Sequence, residues 1–353
     1  MRSPTNIKSL IPQTIGTMNA MKPSQRTKQR MTRSILVVTA FCSCIFFAQG
    51  QAQQERLKGA VKSPIANVKV DVFDRVEHHE TDNDGVALHY VTLGEGPVIL
   101  FVHGFPDFWY TWREQMAALS DNYKTVAMDT RAYNKSGKPE GVEHYTMSHL
   151  MSDVEAVIKD LEVDSVTLVG HDWGGAISWR FAMYYPQLVN KLVICNLTHP
   201  KGYGTVLRNA TAEQKRNTQY ITDFQTPGYE KRFSPEVLTR ISVGNASDEV
   251  RQRYINAFSQ SSVKGMLDYY RAAYSGLTAE SGQSVEMPNL TMPVLQFHGL
   301  KDKAVDKDGL RDTWNWINKD YTLVTIPSSG HWVQRDAADM VSNTMRWWLK
   351  SRH

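Results

Sequence analysis

Among the residues able to do covalent chemistry, one aspartate is marked by its neighbours. Gly170-His171-Asp172-Trp173-Gly174 follows the apolar, β-branched run Val166-Thr167-Leu168-Val169 and precedes a helix-like stretch. A glycine two positions before and another two positions after leave room for a tight corner, where strand, turn and helix crowd together and a Cβ would collide. A carboxylate there has the Trp173 N–H and a helix N-terminus aimed at it, which favours its ionised form and any oxyanion formed beside it. The same residues would also suit a plain aspartate cap on a helix, so Asp172 needs partners. Asp302 lies in His298-Gly299-Leu300-Lys301-Asp302, just past an apolar run, and His331 lies in Ser329-Gly330-His331-Trp332, just past another. An acidic nucleophile, a second acid and a histidine suit attack on carbon to form an ester, followed by water that the imidazole deprotonates. A further backbone donor is expected from His103-Gly104-Phe105-Pro106, where Gly104 permits a sharp turn and Pro106 fixes the backbone beyond it. That turn would point the Phe105 N–H at Asp172.

Such loops meet only if a sheet places them at one edge. Residues 68–73 and 86–91 read as a hairpin around Asn83-Asp84-Gly85, a strong turn signal. Runs at 98–102, 125–128, 166–169, 191–195, 293–297 and 321–326 read as further strands, several of them continuously apolar, as strands buried on both faces are. Helices are expected at 109–119, at 147–161, after Trp173, around 307–316 and over 333–349. The order nucleophile, acid, histidine, each after a strand, matches the α/β-hydrolase arrangement, with aspartate where the elbow usually has serine. The expected class is therefore α/β, a mostly parallel eight-stranded sheet with helices on both faces. Residues 200–287 break the alternation; they are polar and helix-compatible, with Pro227 and Pro235 as punctuation. They read as a helical lid over the strand ends, where open α/β sheets bind ligands. The core is then split into 53–199 and 288–353.

Composition sets the outer limits. Of 353 residues, 41% are hydrophobic and 22% charged, ordinary for a globular protein, and the formal net charge of +4 lies partly at the N-terminus. No Lys/Arg stripe interleaved with aromatics appears, so nucleic acid is not expected as a partner. Residues 1–34 are basic with no acidic residue, and an apolar run of 14 residues, 35–48, follows before small and polar residues. That pattern describes a secretory signal over 1–52, with cleavage after Gly50 or Ala52, export to the periplasm or medium, and no membrane attachment afterwards; an uncleaved anchor is the alternative. Of three cysteines only Cys195 would survive cleavage, so no internal disulfide is expected.

Three longer motifs carry a family resemblance. The stretch from His103-Gly104-Phe105-Pro106-Asp107-Phe108 to Arg113, the segment Gly170-His171-Asp172-Trp173-Gly174-Gly175 and Gly330-His331-Trp332 resemble the epoxide hydrolases of the α/β-hydrolase superfamily. The likeness runs from about residue 86 to the C-terminus. Asp129-Thr130-Arg131-Ala132-Tyr133-Asn134-Lys135-Ser136 is also similar, but Ala132 and Asn134 stand where glycine is usual. The resemblance implies hydrolysis of an epoxide to a vicinal diol through an alkyl ester on Asp172. It implies no cofactor or metal, only water and a small apolar epoxide, and a monomer or homodimer. Phe105 and Trp173 would supply the oxyanion hole, and His103 and Trp109 would line the pocket. Two lid tyrosines would donate to the epoxide oxygen. Leu267-Asp268-Tyr269-Tyr270-Arg271 is similar to one tyrosine motif and points to Tyr270; Asn217-Thr218-Gln219-Tyr220-Ile221 is similar to the other and points to Tyr220.

Haloalkane dehalogenases share most of these motifs and form the alternative reading, a halide leaving in place of an alkoxide. Trp173 would serve as their halide-binding indole. Against them, Asn196 stands where many carry their acid, and an amide cannot stabilise an imidazolium as a carboxylate does. Haloacetate dehalogenases are disfavoured because Trp173 and Ala176 replace the arginines that would clamp a substrate carboxylate.

Overall fold

The sheet opens with a polar hairpin. Glu77–Asn83 (β1) pairs antiparallel with Val86–Leu93 (β2) around Asp84 and Gly85, both with positive φ. Of the run 68–73 expected to be its first strand, 68–70 lie outside the described residues, and Val72–Asp74 forms a 3₁₀ turn capped by the Asp71 carboxylate. As an edge strand, β1 can be built from polar side chains, because four of its seven residues stay exposed and none is fully buried. The computed structural model describes residues 71–274 and 287–352; the leader expected over 1–52 lies outside the described residues.

Beyond the hairpin, strands and helices alternate. Val98–Val102 (β3), Lys124–Met128 (β4), Val166–His171 (β5), Val189–Cys195 (β6), Val294–Gly299 (β7) and Tyr321–Ile326 (β8) complete an eight-stranded sheet of order β1-β2-β4-β3-β5-β6-β7-β8. All pairings from β4 to β8 are parallel, and β2 runs antiparallel to both its neighbours. The central strands β3, β5 and β7 are buried along their whole length. Arg113–Leu119 (α1), Met147–Asp160 (α2) and Trp173–Tyr184 (α3) connect the first strands. Of the helix expected around 307–316 only two 3₁₀ turns form, Lys307–Leu310 and Thr313–Trp316, separated by Asp312 at φ 64°.

Between β6 and β7 the described residues form six α-helices: Pro200–Arg208 (α4), Ala212–Asn217 (α5), Gln219–Asp223 (α6), Pro235–Val243 (α7), Asp248–Ser259 (α8) and Val263–Tyr274 (α9). Hydroxyl caps start three of them, with Thr211, Ser234 and Ser247 each accepting from the backbone N–H three residues on. Helix α9 is fastened to the core where the Tyr269 hydroxyl donates to the Arg131 carbonyl at 2.8 Å. The C-terminal helix is broken in two, Val333–Asp336 (α10) and Ala338–Lys350 (α11).

Candidate active site

The corner after β5 has the geometry its glycines imply. A Cβ on Gly170 would stand 2.3 Å from the Gly174 carbonyl oxygen, and one on Gly174 would stand 2.1 Å from that of Val102. Asp172 itself sits at φ 51°, ψ −119°, a backbone region that costs a non-glycine residue roughly 1–3 kcal/mol and is kept only where the surroundings dictate it. Its side chain makes no capping bond to the first turn of α3. Instead Oδ1 accepts the Phe105 N–H at 2.7 Å from the loop after β3. Gly104 makes this approach possible, since a Cβ there would meet Oδ1 at 2.3 Å. Phe105, one of the two expected amides, thus reaches the carboxylate, and Trp173 lines the cavity with its ring edge-on to that of Tyr270, centroids 5.1 Å apart.

The other carboxylate and the imidazole arrive from neighbouring strands whose ends the parallel register aligns, Cys195 beside Phe297 and Gly299 beside Ile326. His331 places Nε2 3.5 Å from Asp172 Oδ2, and its Nδ1 donates to Asp302 Oδ2 at 2.8 Å. The Asp302 side chain is buried, and its Oδ1 accepts the Ala304 and Val305 amides at 2.8 and 3.0 Å. Asn196, at φ 44° beyond β6, clamps the same group: Nδ2 donates to Asp302 Oδ2 at 2.6 Å and Oδ1 accepts the Gly299 N–H at 3.0 Å. The amide that looked like a missing acid is therefore the acid's support. Behind the imidazole, His171 donates Nε2–H to the His331 carbonyl at 2.9 Å, and burial lowers its pKa to about 4, which keeps it neutral.

Electrostatics follow from this packing. Burial alone would lower the His331 pKa, but the charge of Asp302 and the contact with Asp172 raise it to about 10. Burial would raise Asp172, yet His331 and the Phe105 amide hold it below the usual carboxylate range. Asp302 is depressed in the same way against its burial, by His331 and Asn196. The resting site is thus a carboxylate, an imidazolium and a second carboxylate.

A cavity of about 210 Å³ lies over Asp172, and both Tyr220 and Tyr270 line it. Their rings meet edge to face, centroids 6.1 Å apart, Tyr220 from α6 and Tyr270 from α9. Burial first, and then the Asp172 charge, hold both phenols well above the ordinary tyrosine pKa, so both stay protonated donors. Two expected pocket residues lie elsewhere. His103 is buried beneath the loop, Nδ1–H to the Gly104 carbonyl and Nε2 accepting the Thr130 N–H at 3.1 Å, so it splints β3 to β4. Trp109 packs into the core against Phe73, centroids 5.5 Å apart. In their place the cavity has Tyr203, Tyr274 and Arg180, which sequence motifs did not mark. Only the spacing of Trp173, Ala176 and Arg180 along one helix face could have pointed to the last.

The family model described as alpha/beta hydrolase fold matches residues 97–338. The chain is 32% identical to Epoxide hydrolase 1 of Caenorhabditis elegans over 75% of its length and 68% of that protein's. It is 30% identical to human Epoxide hydrolase 4, over 76% and 77% of the two chains. The chain belongs to the epoxide hydrolases of the α/β-hydrolase superfamily. Among solved structures, an inhibitor-bound epoxide hydrolase of Bacillus megaterium superposes with a TM-score of 0.72 at 32% identity, covering 77% of this epoxide hydrolase and all of that chain. The eight-stranded sheet is thus the α/β-hydrolase fold.

Proposed function

We propose that this epoxide hydrolase opens an epoxide with Asp172 and releases the diol with water activated by His331. Asp172 Oδ2 attacks the less hindered ring carbon, forming an alkyl ester as the C–O bond to the epoxide oxygen breaks. Tyr220 and Tyr270 hydrogen-bond that oxygen and supply its proton, which an alkoxide needs in order to leave. Alkylation removes the Asp172 charge, one of the groups that raise the His331 pKa, so the imidazolium loses its proton more readily once the ester exists. The proton the imidazolium gives up restores the phenol that protonated the epoxide oxygen. Neutral His331, oriented by Asp302, then takes a proton from water, whose oxygen attacks the ester carbonyl carbon. Collapse breaks the bond from that carbon to the alkyl oxygen, returning the Asp172 carboxylate and leaving the second proton of the water on the departing diol. The Phe105 N–H stabilises the tetrahedral oxyanion, a type of contact worth about 3–4 kcal/mol per donor.

The observation that carries this reading is the pair of protonated phenols on the wall of the cavity that holds the carboxylate. A halide needs no proton to leave, so two buried acids favour epoxide over haloalkane. Replacing His331 with Gln should leave alkylation intact and stop hydrolysis. Intact-protein mass spectrometry after exposure to styrene oxide should then show one adduct, mapped to Asp172; an unmodified protein, or bromide release from bromoalkanes without diol formation by the wild type, would refute the scheme. The basic and apolar N-terminal pattern supports export with cleavage after Gly50 or Ala52. N-terminal sequencing of protein recovered outside the cytoplasm tests that, and an intact leader there would overturn it.

A further inference from the structure

Arg180 is a cation on the cavity wall that, among the described residues, pairs with no carboxylate. It follows Trp173 and Ala176 at helical spacing on α3, and all three line the space over Asp172. Its one hydrogen bond goes from Nη1 to the Ala176 carbonyl, a turn back on its own helix, at 3.3 Å. Four other buried or half-buried guanidinia, those of Arg131, Arg253, Arg271 and Arg335, each meet a carboxylate: Asp153, Asp71, Asp268 and Asp107. Among the described residues Arg180 meets none. Burial accordingly lowers its pKa from the ordinary arginine value, with only Tyr274 and Tyr184 acting against that. A guanidinium held in a largely apolar cleft, with most of its N–H donors unspent, is unfavourable unless something arrives to use them.

The position of that cation fixes what could use it. Ala176 is four residues beyond Asp172, so a guanidinium drawn back to its carbonyl lies about one helical turn, roughly 6 Å along the axis at 1.5 Å per residue, from the Asp172 backbone. Leu197, Leu207 and Val305 make part of the cavity wall apolar, and Tyr203 and Tyr274 line the same cavity. Resting on the epoxide-opening assignment above, we propose that Arg180 determines specificity by binding a carboxylate on the substrate, joined to the epoxide by a short apolar spacer. The planar fork of arginine suits a carboxylate in bidentate contact, and one such charged contact changes affinity by roughly tenfold or more.

The test compares a terminal epoxyoctanoate with its methyl ester, on the wild type, Arg180→Met and Arg180→Lys. Wild type should favour the acid in kcat/KM by about tenfold or more, chiefly through KM; Arg180→Met should lose that preference, and Arg180→Lys should recover part of it. Equal use of acid and ester by the wild type, or loss of both to the same extent in Arg180→Met, would overturn the proposal. Calorimetric titration with octanoate and octanamide needs no turnover and separates this idea from the assignment beneath it. If neither epoxide is opened but octanoate binds the wild type and not Arg180→Met, the anion site stands and the epoxide assignment falls. If octanoate and octanamide bind the wild type alike, the anion site falls whatever the enzyme does to epoxides. This comparison uses wild type alone, so a failure of the variants to fold does not blunt it.

Discussion

At the scale of single residues, the three side chains expected to act were recognisable because their types and chain order are chemically restrictive. A carboxylate between two glycines, a later acid and a last histidine have few other joint uses. His103 and Trp109 were misplaced for the complementary reason: their motif is a turn, and which side of a turn a ring takes depends on the amide it finds, here that of Thr130. Of the adjacent pair Tyr269 and Tyr270, the structure ties the first to the Arg131 carbonyl and leaves the second on the cavity wall. Their roles predict a graded response. Tyr220→Phe and Tyr270→Phe should each lower kcat for styrene oxide by about tenfold or more, and the double variant should lose roughly 10²–10⁴, because one phenol can partly cover for the other. Stopped-flow measurement of the alkylation phase checks it; double-variant alkylation at the wild-type rate would remove both phenols from the reaction.

At the scale of elements, continuous apolar runs made the interior strands easy to place, and the elements misjudged lie at the sheet's rim or in its loops. β1 escaped notice because its alternating polar residues need no burial, and the helix expected near 310 is cut by Asp312 in the left-handed region. The support for the acid was equally hard to read, since Asn196 acts through a contact 106 residues away. Asn196→Ala should remove one of the bonds that keep Asp302 ionised and aligned. Ester hydrolysis should then slow by about tenfold, while alkylation by Asp172 is little changed, so the covalent intermediate accumulates during turnover; quench-flow trapping reads the accumulation directly. Gly104→Ala should instead strike the alkylation step. Its Cβ would meet Asp172 Oδ1 at 2.3 Å, displacing the carboxylate from the Phe105 amide. Alkylation should fall by roughly 10²-fold, in the range of a misplaced nucleophile. A slowed hydrolysis step with normal alkylation in this variant would contradict the geometry.

At the scale of the whole molecule, five loops from strands far apart in sequence converge on one charge arrangement, so the stability of the fold and the protonation of the site are linked. His331 has its pKa raised from 6.5 to about 10 in the folded state, which means the folded chain holds that proton more tightly than the unfolded one. The resulting stabilisation is fully present below pH 6.5 and is lost as pH rises towards 10. Asp172 and Asp302 have lowered pKa values, so their contribution is present above their usual value of 3.8 and disappears as pH falls through the depressed range. Other groups titrate over the same span, so the informative quantity is a difference between proteins. Tm of wild type minus Tm of His331→Gln should be largest between pH 3.8 and 6.5 and should shrink steadily towards pH 10. Asp172→Asn should move the loss to lower pH, because one of the two carboxylates that hold the proton has gone. A difference that grows with rising pH would mean the imidazole is neutral in the folded enzyme, and the resting ion pair would have to be abandoned.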